Sequence, residues 1–389
     1  MKALPREPRD LRIDFARGIA LLIIYTDHVV ENPLAAYTPA RFGFSDMAEV
    51  FVFLSGFVCG LVYVRILDSS GFCACQKKAI MRASQLYVAN CAMTTFAALI
   101  VWKFDGSAAR FLEPSNAEAT ALVRSEPARA LVDALTFRLQ GTSFLILPLY
   151  FVLIVFLPAM LVVWKRNPLA LLLPSILVYA NVQIIPDMLR LPRGLNERWY
   201  FNPLAWQCLF VIGVHFGALR SRKPPTARIP TSPWLTCLAV SALALSAAAL
   251  RFGAVPIWPY EEKDLLGPLR LLHFGAVVIV ARTVLPSSER VARIRLLDPV
   301  IACGQCSLAT YCGSGLIAMA VGMSRWNELG PMLGAIVVNV GGWAACCLIA
   351  LIWRRTRAMA FPHLKGSPAV ARKRSDGPQP SGETLDPEL

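Results

Sequence analysis

Phe144-Leu-Ile-Leu-Pro148-Leu-Tyr150-Phe-Val-Leu-Ile-Val-Phe-Leu-Pro158-Ala-Met-Leu-Val-Val-Trp164 contains no charged residue. A helix needs roughly 17 to 25 apolar residues to cross a hydrocarbon core of about 30 Å, and this run supplies them. Comparable runs recur at 15–30, 47–64, 86–102, 169–185, 204–219, 234–250, 269–285, 300–321 and 332–353. The reading is an all-α, polytopic membrane protein of about ten transmembrane helices, with its partner the lipid bilayer.

Composition agrees. Of 389 residues, 56% are hydrophobic and 16% charged, against roughly a quarter charged in ordinary soluble domains. The net charge of +14 does not point to nucleic acid, because the basic residues sit in short clusters between apolar runs and form no continuous basic face. The clusters Arg6/Arg9/Arg12, Lys77/Lys78/Arg82, Lys165/Arg166, Arg220/Arg222/Lys223 and Arg354/Arg355/Arg357 fall on one set of alternate connections. Basic residues near span ends are retained in the cytoplasm, so both termini are expected there. Connection 103–143 is assigned outside; its basic residues are diluted by Asp105, Glu113, Glu118, Glu126 and Asp133. No small-residue cleavage site follows the first run, so it is read as a retained helix and not a signal peptide. Residues 1–355 form the membrane domain and 356–389, rich in Pro, Ser, Gly and charge, a disordered cytoplasmic tail.

Eleven cysteines, most of them within apolar runs, give no disulfide framework. Cys73, Cys75, Cys303 and Cys306 leave a metal or redox site conceivable, but no matching His accompanies them and no metal is assigned. There is no phosphate loop, no Gly-x-Ser-x-Gly elbow and no His-Glu-x-x-His helix. Chemistry must therefore use polar groups inside the spans, where each charge costs at least roughly 2.5 to 3.5 kcal/mol.

In the first span, Arg17 and His28 lie eleven steps apart, within about 20° of one helical face, and Asp14 lies about 40° from His28. The three make a polar stripe, or else Asp14 and Arg17 snorkel while His28 ends the helix facing water. Asp46 and Glu49 share a face at the start of the second span, as caps or as site acids. Arg82 and Gln85 open the third span. Gly56-Phe-Val-Cys-Gly60 has the spacing that lets helices approach closely. Trp206, read as part of an interfacial aromatic belt, precedes Gln207, which lies deeper. Arg270 and His273 stand one turn apart in the eighth span.

At these positions the sequence resembles the OpgC family, membrane proteins that add succinyl groups to osmoregulated periplasmic glucans in Gram-negative bacteria. The resemblance rests on Arg-Ile-Asp14-Phe-Ala-Arg17-Gly, Asp27-His28, and Gly43-Phe-Ser-Asp46-Met-Ala-Glu49 through Ser55-Gly56. It continues, in order, through Gln85-Leu-Tyr87, Leu147-Pro-Leu-Tyr150, Phe201-Asn-Pro-Leu-Ala-Trp206-Gln207 and Leu269-Arg-Leu-Leu-His273. Arg17 and His28 also match the Arg-x10-His signature of the wider acyltransferase-3 group. Ala302-Cys-Gly-Gln-Cys306 departs from the family pattern.

The resemblance implies an O-acyltransferase of the bacterial inner membrane with no permanently bound cofactor. It would use acyl-CoA, succinyl-CoA in this family, as donor and a periplasmic glucan or related glycan as acceptor. It assigns catalysis to His28 and the donor path to Arg17; Asp46 and Glu49 are read as acids that orient the imidazole, as carboxylates do for other catalytic histidines, and Asp14, Arg82 and Gln85 as candidates for the donor site with Arg17. Ser55, Trp206, Gln207 and His273 are the candidate substrate or channel residues. The competing reading is a proton-coupled transporter whose intramembrane charges line a path; the chain shows no repeat to support it. Oligomeric state is not legible. The orientation is testable with reporter fusions: those after Lys165, Lys223 and Leu389 should score cytoplasmic and one at Glu118 external, whereas an external signal at Leu389 would show a miscounted span.

Overall fold

In the computed structural model, residues 10–104, 111–113, 117–185, 199–222, 232–252, 262–324 and 326–360 are described. The chain forms fourteen α-helices among them. Helix α1 (Leu11–His28) is capped by Asp10, whose carboxylate accepts from the Arg12 backbone N–H. A 3-10 turn at Pro33–Tyr37 and the short α2 (Pro39–Phe42) lead to α3 (Met47–Lys103). Helices α4 (Ala117–Ser125) and α5 (Pro127–Leu135) precede α6 (Ile146–Arg166), α7 (Pro168–Ile184), α8 (Pro203–Ser221), α9 (Pro233–Phe252) and α10 (Pro268–Val284). The remainder is α11 (Ser288–Arg293), α12 (Asp298–Gln305), α13 (Ser307–Met323) and α14 (Pro331–Ala360).

Helix α3 is one hydrogen-bonded element but not one rod. Gly71 has φ 79° and ψ −179°, a conformation open to glycine and strained for other residues. Cys75 Sγ lies 3.9 Å from the Tyr63 carbonyl oxygen, whereas twelve residues of straight helix would separate them by about 18 Å. The chain therefore doubles back at Gly71, and the two expected runs at 47–64 and 86–102 become the arms of a helical hairpin.

By length and apolarity, five described helices qualify as membrane spans, or six when the bent pair α12 and α13 counts as one. The ten expected from the sequence are not reached on that criterion, for identifiable reasons. Helix α1 has 18 residues and carries Arg12, Asp14, Arg17 and Asp27. Helices α7 and α10 have 17 residues each, and α12 meets α13 at an angle of 92° at Cys306. Connection 103–143, read as a plain loop, instead contains α4, α5 and a two-stranded antiparallel ladder of Leu112–Glu113 with Gln140–Gly141. Leu112, Leu139 and Phe111 bury this cap against the bundle. Helix α14 continues to Ala360, past the boundary expected at 355, and the expected tail from 361 onward lies outside the described residues.

Close packing brings the site together. A Cβ on Gly56 would meet the Phe210 carbonyl oxygen at 2.3 Å, and one on Gly60 the Val214 oxygen at 2.1 Å. Gly213 and Gly217 of α8 stand equally tight against Phe53 and Phe57 of α3. The predicted small-residue contact is real, and it is reciprocal. Helix α1 is seated the same way against α12, with Gly18 under Val300 and Gly304 under Asp14. Trp343 of α14 donates to the Leu22 carbonyl and to Thr26 Oγ1, and Tyr25 donates to the Val338 carbonyl. A helix carrying four charges is thus held in the middle of the bundle by backbone contact and hydrogen bonds. Gly60→Leu and Gly217→Leu should each lower stability in detergent by about 1–3 kcal/mol or more through overpacking. Gly275→Ala, in the interior of α10 with nothing within 4 Å of its added methyl, should not lower stability and should raise it by up to about 1 kcal/mol.

Candidate functional site

The site begins with a capping box. Asp46 caps α3 by accepting from the Ala48 N–H at 2.7 Å, while its own N–H donates to Glu49 Oε2 at 2.8 Å. The remaining carboxylate oxygens face two cations that arrive from far along the chain. Arg270, in the first turn of α10, donates through Nε to Glu49 Oε1 at 2.7 Å and through Nη2 to Asp46 Oδ2 at 3.1 Å. Lys263 Nζ stands 2.6 Å from Asp46 Oδ2. Glu49 is 0% exposed. Two acids and two bases form a compact layer whose formal charges balance. Burial opposes charge on Lys263 and Asp46, but each is held in its charged form by the other: the lysine's pKa lies above its usual value and the aspartate's well below.

A clamp on the α9–α10 connection holds Lys263 in place. Trp206 Nε1 donates to the carbonyls of Lys263 and Asp264 at 3.0 and 3.2 Å. The Asn202 N–H donates to the Asp264 carbonyl, Gln183 Nε2 to that of Leu265 and Tyr179 Oη to that of Leu266. The ammonium of Lys263 also lies 5.9 and 5.8 Å from the ring centroids of Tyr200 and Phe201. Trp206 is 0% exposed, so it is no belt residue; the need to satisfy buried carbonyls places it inside. Gln207 ties α8 to α7, donating to the Ser175 carbonyl while its Oε1 accepts from the Ser175 hydroxyl.

His28, the half-buried last residue of α1, comes to this same layer, within electrostatic reach of Lys263 and Asp46. Asp27 beside it accepts from the Thr38 hydroxyl at 2.6 Å. His273, one turn beyond Arg270, accepts at Nδ1 from the Ser45 N–H and lies 2.7 Å from the Ser45 hydroxyl. Its ring fills the space where a side chain on Gly43 would stand.

About 16 Å back along α1, a second feature opens. Arg17, Ser55, Arg82, Leu147, Tyr150 and Tyr311 contribute to the wall of a cavity of about 180 Å³. Arg17 Nε and the Tyr150 hydroxyl are buried there with no hydrogen-bond partner, and the guanidinium lies 5.5 Å from the Phe51 ring centroid. Buried polar groups are rarely left so, and a donor pair at the wall of a half-open cavity is suited to a polar ligand group. Arg82 donates to Gln85 Oε1 at 3.1 Å. Asp14 is 2% exposed and packs its backbone on Gly304.

The family whose description is OpgC protein matches residues 9–358, which is most of the chain. The chain belongs to the OpgC family. No curated protein and no solved structure is significantly similar to it. Membership points to a glucan-modifying acyltransferase.

In this OpgC chain, the predicted residues divide between two places. His28, Asp46, Glu49 and His273 gather at one end of the bundle, whereas Arg17, Ser55 and Arg82 meet at the interior cavity. Asp46 and Glu49 direct their side-chain contacts to Lys263 and Arg270 and not, as the sequence suggested, to the imidazole. Gln85 is exposed at the cavity's rim helix, and Trp206 and Gln207 support the frame. Sequence reasoning missed Lys263 and the pairing of Arg270. The signal available was weak: two acids in one helical turn needed compensation, and Lys263 and Arg270 were basic residues beside a predicted span end. Among the described residues, no group of three or more His, Cys, Asp or Glu side chains is placed to hold a metal ion. Arg270→Met should cost about 3–5 kcal/mol of stability by leaving Glu49 uncompensated. The double variant Arg270→Met/Glu49→Leu, which keeps the balanced Asp46–Lys263 pair, should lose less than the single variant in detergent unfolding.

Proposed function

We propose that the protein is an inner-membrane O-acyltransferase that moves an acyl group, succinyl by family analogy, from cytoplasmic acyl-CoA to a hydroxyl of a periplasmic glucan. The carrying observation is that one helix links two different polar sites. Arg17 lies at a cavity with unsatisfied donors, and His28 lies by the ion layer at the far end. In this reading α1, both arms of α3, α6 to α10, the α12–α13 pair and α14 make ten crossings, with both termini cytoplasmic. The basic clusters gathered where Lys165 pairs with Asp68 and Arg354 with Asp298 support that orientation.

The cavity, at about 180 Å³, lies below the roughly 300–1,000 Å³ of sites that enclose a whole small molecule. It therefore takes part of the donor's pantetheine arm. The nucleotide phosphates stay outside, near Arg82, Lys78 and Lys77, where charge-assisted hydrogen bonds hold them. Arg17 and the Tyr150 hydroxyl hold polar groups of that arm, so that the thioester end reaches His28 at the far end of α1. His28, as neutral imidazole, accepts the proton of the glycan hydroxyl as its oxygen attacks the thioester carbonyl. The carbon–sulfur bond breaks, and the proton passes from His28 to the departing thiolate, giving an ester and free thiol. The fixed charges of Lys263 and Arg270 set the field in which the tetrahedral oxyanion forms.

Removing a general base typically costs a factor of about 10² to 10⁴ in rate. Purified His28→Ala and His28→Asn should reach the membrane in normal amount yet fail to acylate, as read by mass spectrometry of periplasmic glucans and by acyl-CoA turnover. A rate within about tenfold of wild type in either variant would exclude His28 as the base. Arg17→Lys keeps the charge but loses the planar fork; it should raise the KM for acyl-CoA, and an unchanged KM would return Arg17 to a purely structural role.

A further inference from the structure

A second and larger cavity, about 510 Å³, opens beside the ion layer and is lined in part by Arg41, Gly43, Phe44, Glu262 and Arg270. We propose that it is the acceptor-binding site, shaped for a neutral glycan segment and governed by Arg41, Glu262 and Phe44. The inference rests on the acyltransferase reading and deepens it by naming where the acceptor is held.

Four observations carry it. The volume falls within the roughly 300–1,000 Å³ typical of small-molecule sites, unlike that of the interior cavity. Its charge is nearly balanced: Arg270 is already compensated by Glu49 and Asp46, leaving one guanidinium, Arg41, and one carboxylate, Glu262. Such a pair offers donors in a planar fork and acceptors in a carboxylate, matching vicinal hydroxyls better than a phosphate or a second carboxylate. Phe44 adds an apolar face and is itself fixed edge-on against His273 at 5.9 Å.

The last observation is one of connectivity. Two of the cavity's walls are close in the chain to ion-layer residues: Phe44 lies two residues before Asp46, and Glu262 immediately precedes Lys263. A sugar held by Glu262 and Arg41 therefore stands at the layer that His28 adjoins. The five hydrogen bonds from Trp206, Asn202, Gln183 and Tyr179 to carbonyls 263–266 fix the Lys263 connection, and with it the position of Glu262. Specificity for the acceptor is thus built on a clamped connection, while the donor is handled within the bundle.

The test uses the full chain purified in detergent, with laminaripentaose and maltopentaose as probes in isothermal titration and as acceptors in acyl-CoA assays. Glu262→Ala and Arg41→Ala should each raise the acceptor KM and the oligosaccharide Kd about tenfold, the loss expected for one hydrogen bond to a charged group. The KM for acyl-CoA and its slow hydrolysis without acceptor should not move. Phe44→Leu should weaken the same acceptor constants while Phe44→Tyr retains them. Acceptor constants within about twofold of wild type in both charge variants, or a wild-type protein that binds neither oligosaccharide, would overturn the site. A wild-type protein that binds oligosaccharide in a Glu262-dependent way but turns over no acyl-CoA would leave the glycan site standing and refute the acyltransferase reading instead.

Discussion

The bundle is organised around a layer of four charges, three of them buried and the fourth, Lys263, partly exposed. Glu49 and Asp46 on α3 face Arg270 on α10 and Lys263 in the preceding connection, and no member can be removed alone without stranding another away from water. Because the acids lie in one helical turn and the bases come from more than two hundred residues away, the layer fixes how the first third of the molecule meets the last third. It also sets the register of everything beside it. His273, through Ser45, and two walls of the larger cavity are placed by residues next to this layer, and His28 lies within its electrostatic reach.

Such a layer needs rigid supports, and the structure supplies two kinds. The first is backbone proximity: glycines at 56, 60, 213 and 217 let α3 and α8 touch main chain to main chain, and those at 18 and 304 do so for α1 and α12. Helices packed this closely leave little freedom for the polar groups they carry. The second is hydrogen bonding to a connection that has no regular structure of its own. Carbonyls 263–266 are each taken by a donor from α7, from α8 or from the residue that caps α8. Several residues that look like site residues in the family pattern, Trp206 and Gln207 among them, serve this framework.

The two cavities differ in character as their proposed contents do. The smaller is largely apolar apart from Arg17, Ser55, Arg82 and the Tyr150 hydroxyl, a place for the donor's arm. The larger has Arg41, Glu262 and Arg270 on its walls, a place for a polyhydroxyl chain. In the proposed reaction the donor's arm runs along α1 from Arg17 to His28, so the two must keep their separation and their common face for transfer to occur.

Much of this was legible in the sequence. Uncharged runs such as 144–164 dictate helices in a bilayer, because no other backbone arrangement satisfies its own hydrogen bonds there. Helical periodicity put Arg17 and His28 on one stripe, and Asp46 and Glu49 on one turn, because both relations are local. The glycine spacing at 56 and 60 announced a close helix contact, though not its partner. What the tertiary structure alone decided is long-range. That Lys263 and Arg270 compensate Asp46 and Glu49, that Trp206 turns inward to hold a carbonyl, and that Gly71 folds 47–103 into a hairpin all depend on which surfaces meet. Local periodicity carries no information about distant partners, whereas the cost of burying an unpaired charge or an unsatisfied carbonyl selects them once the helices are assembled.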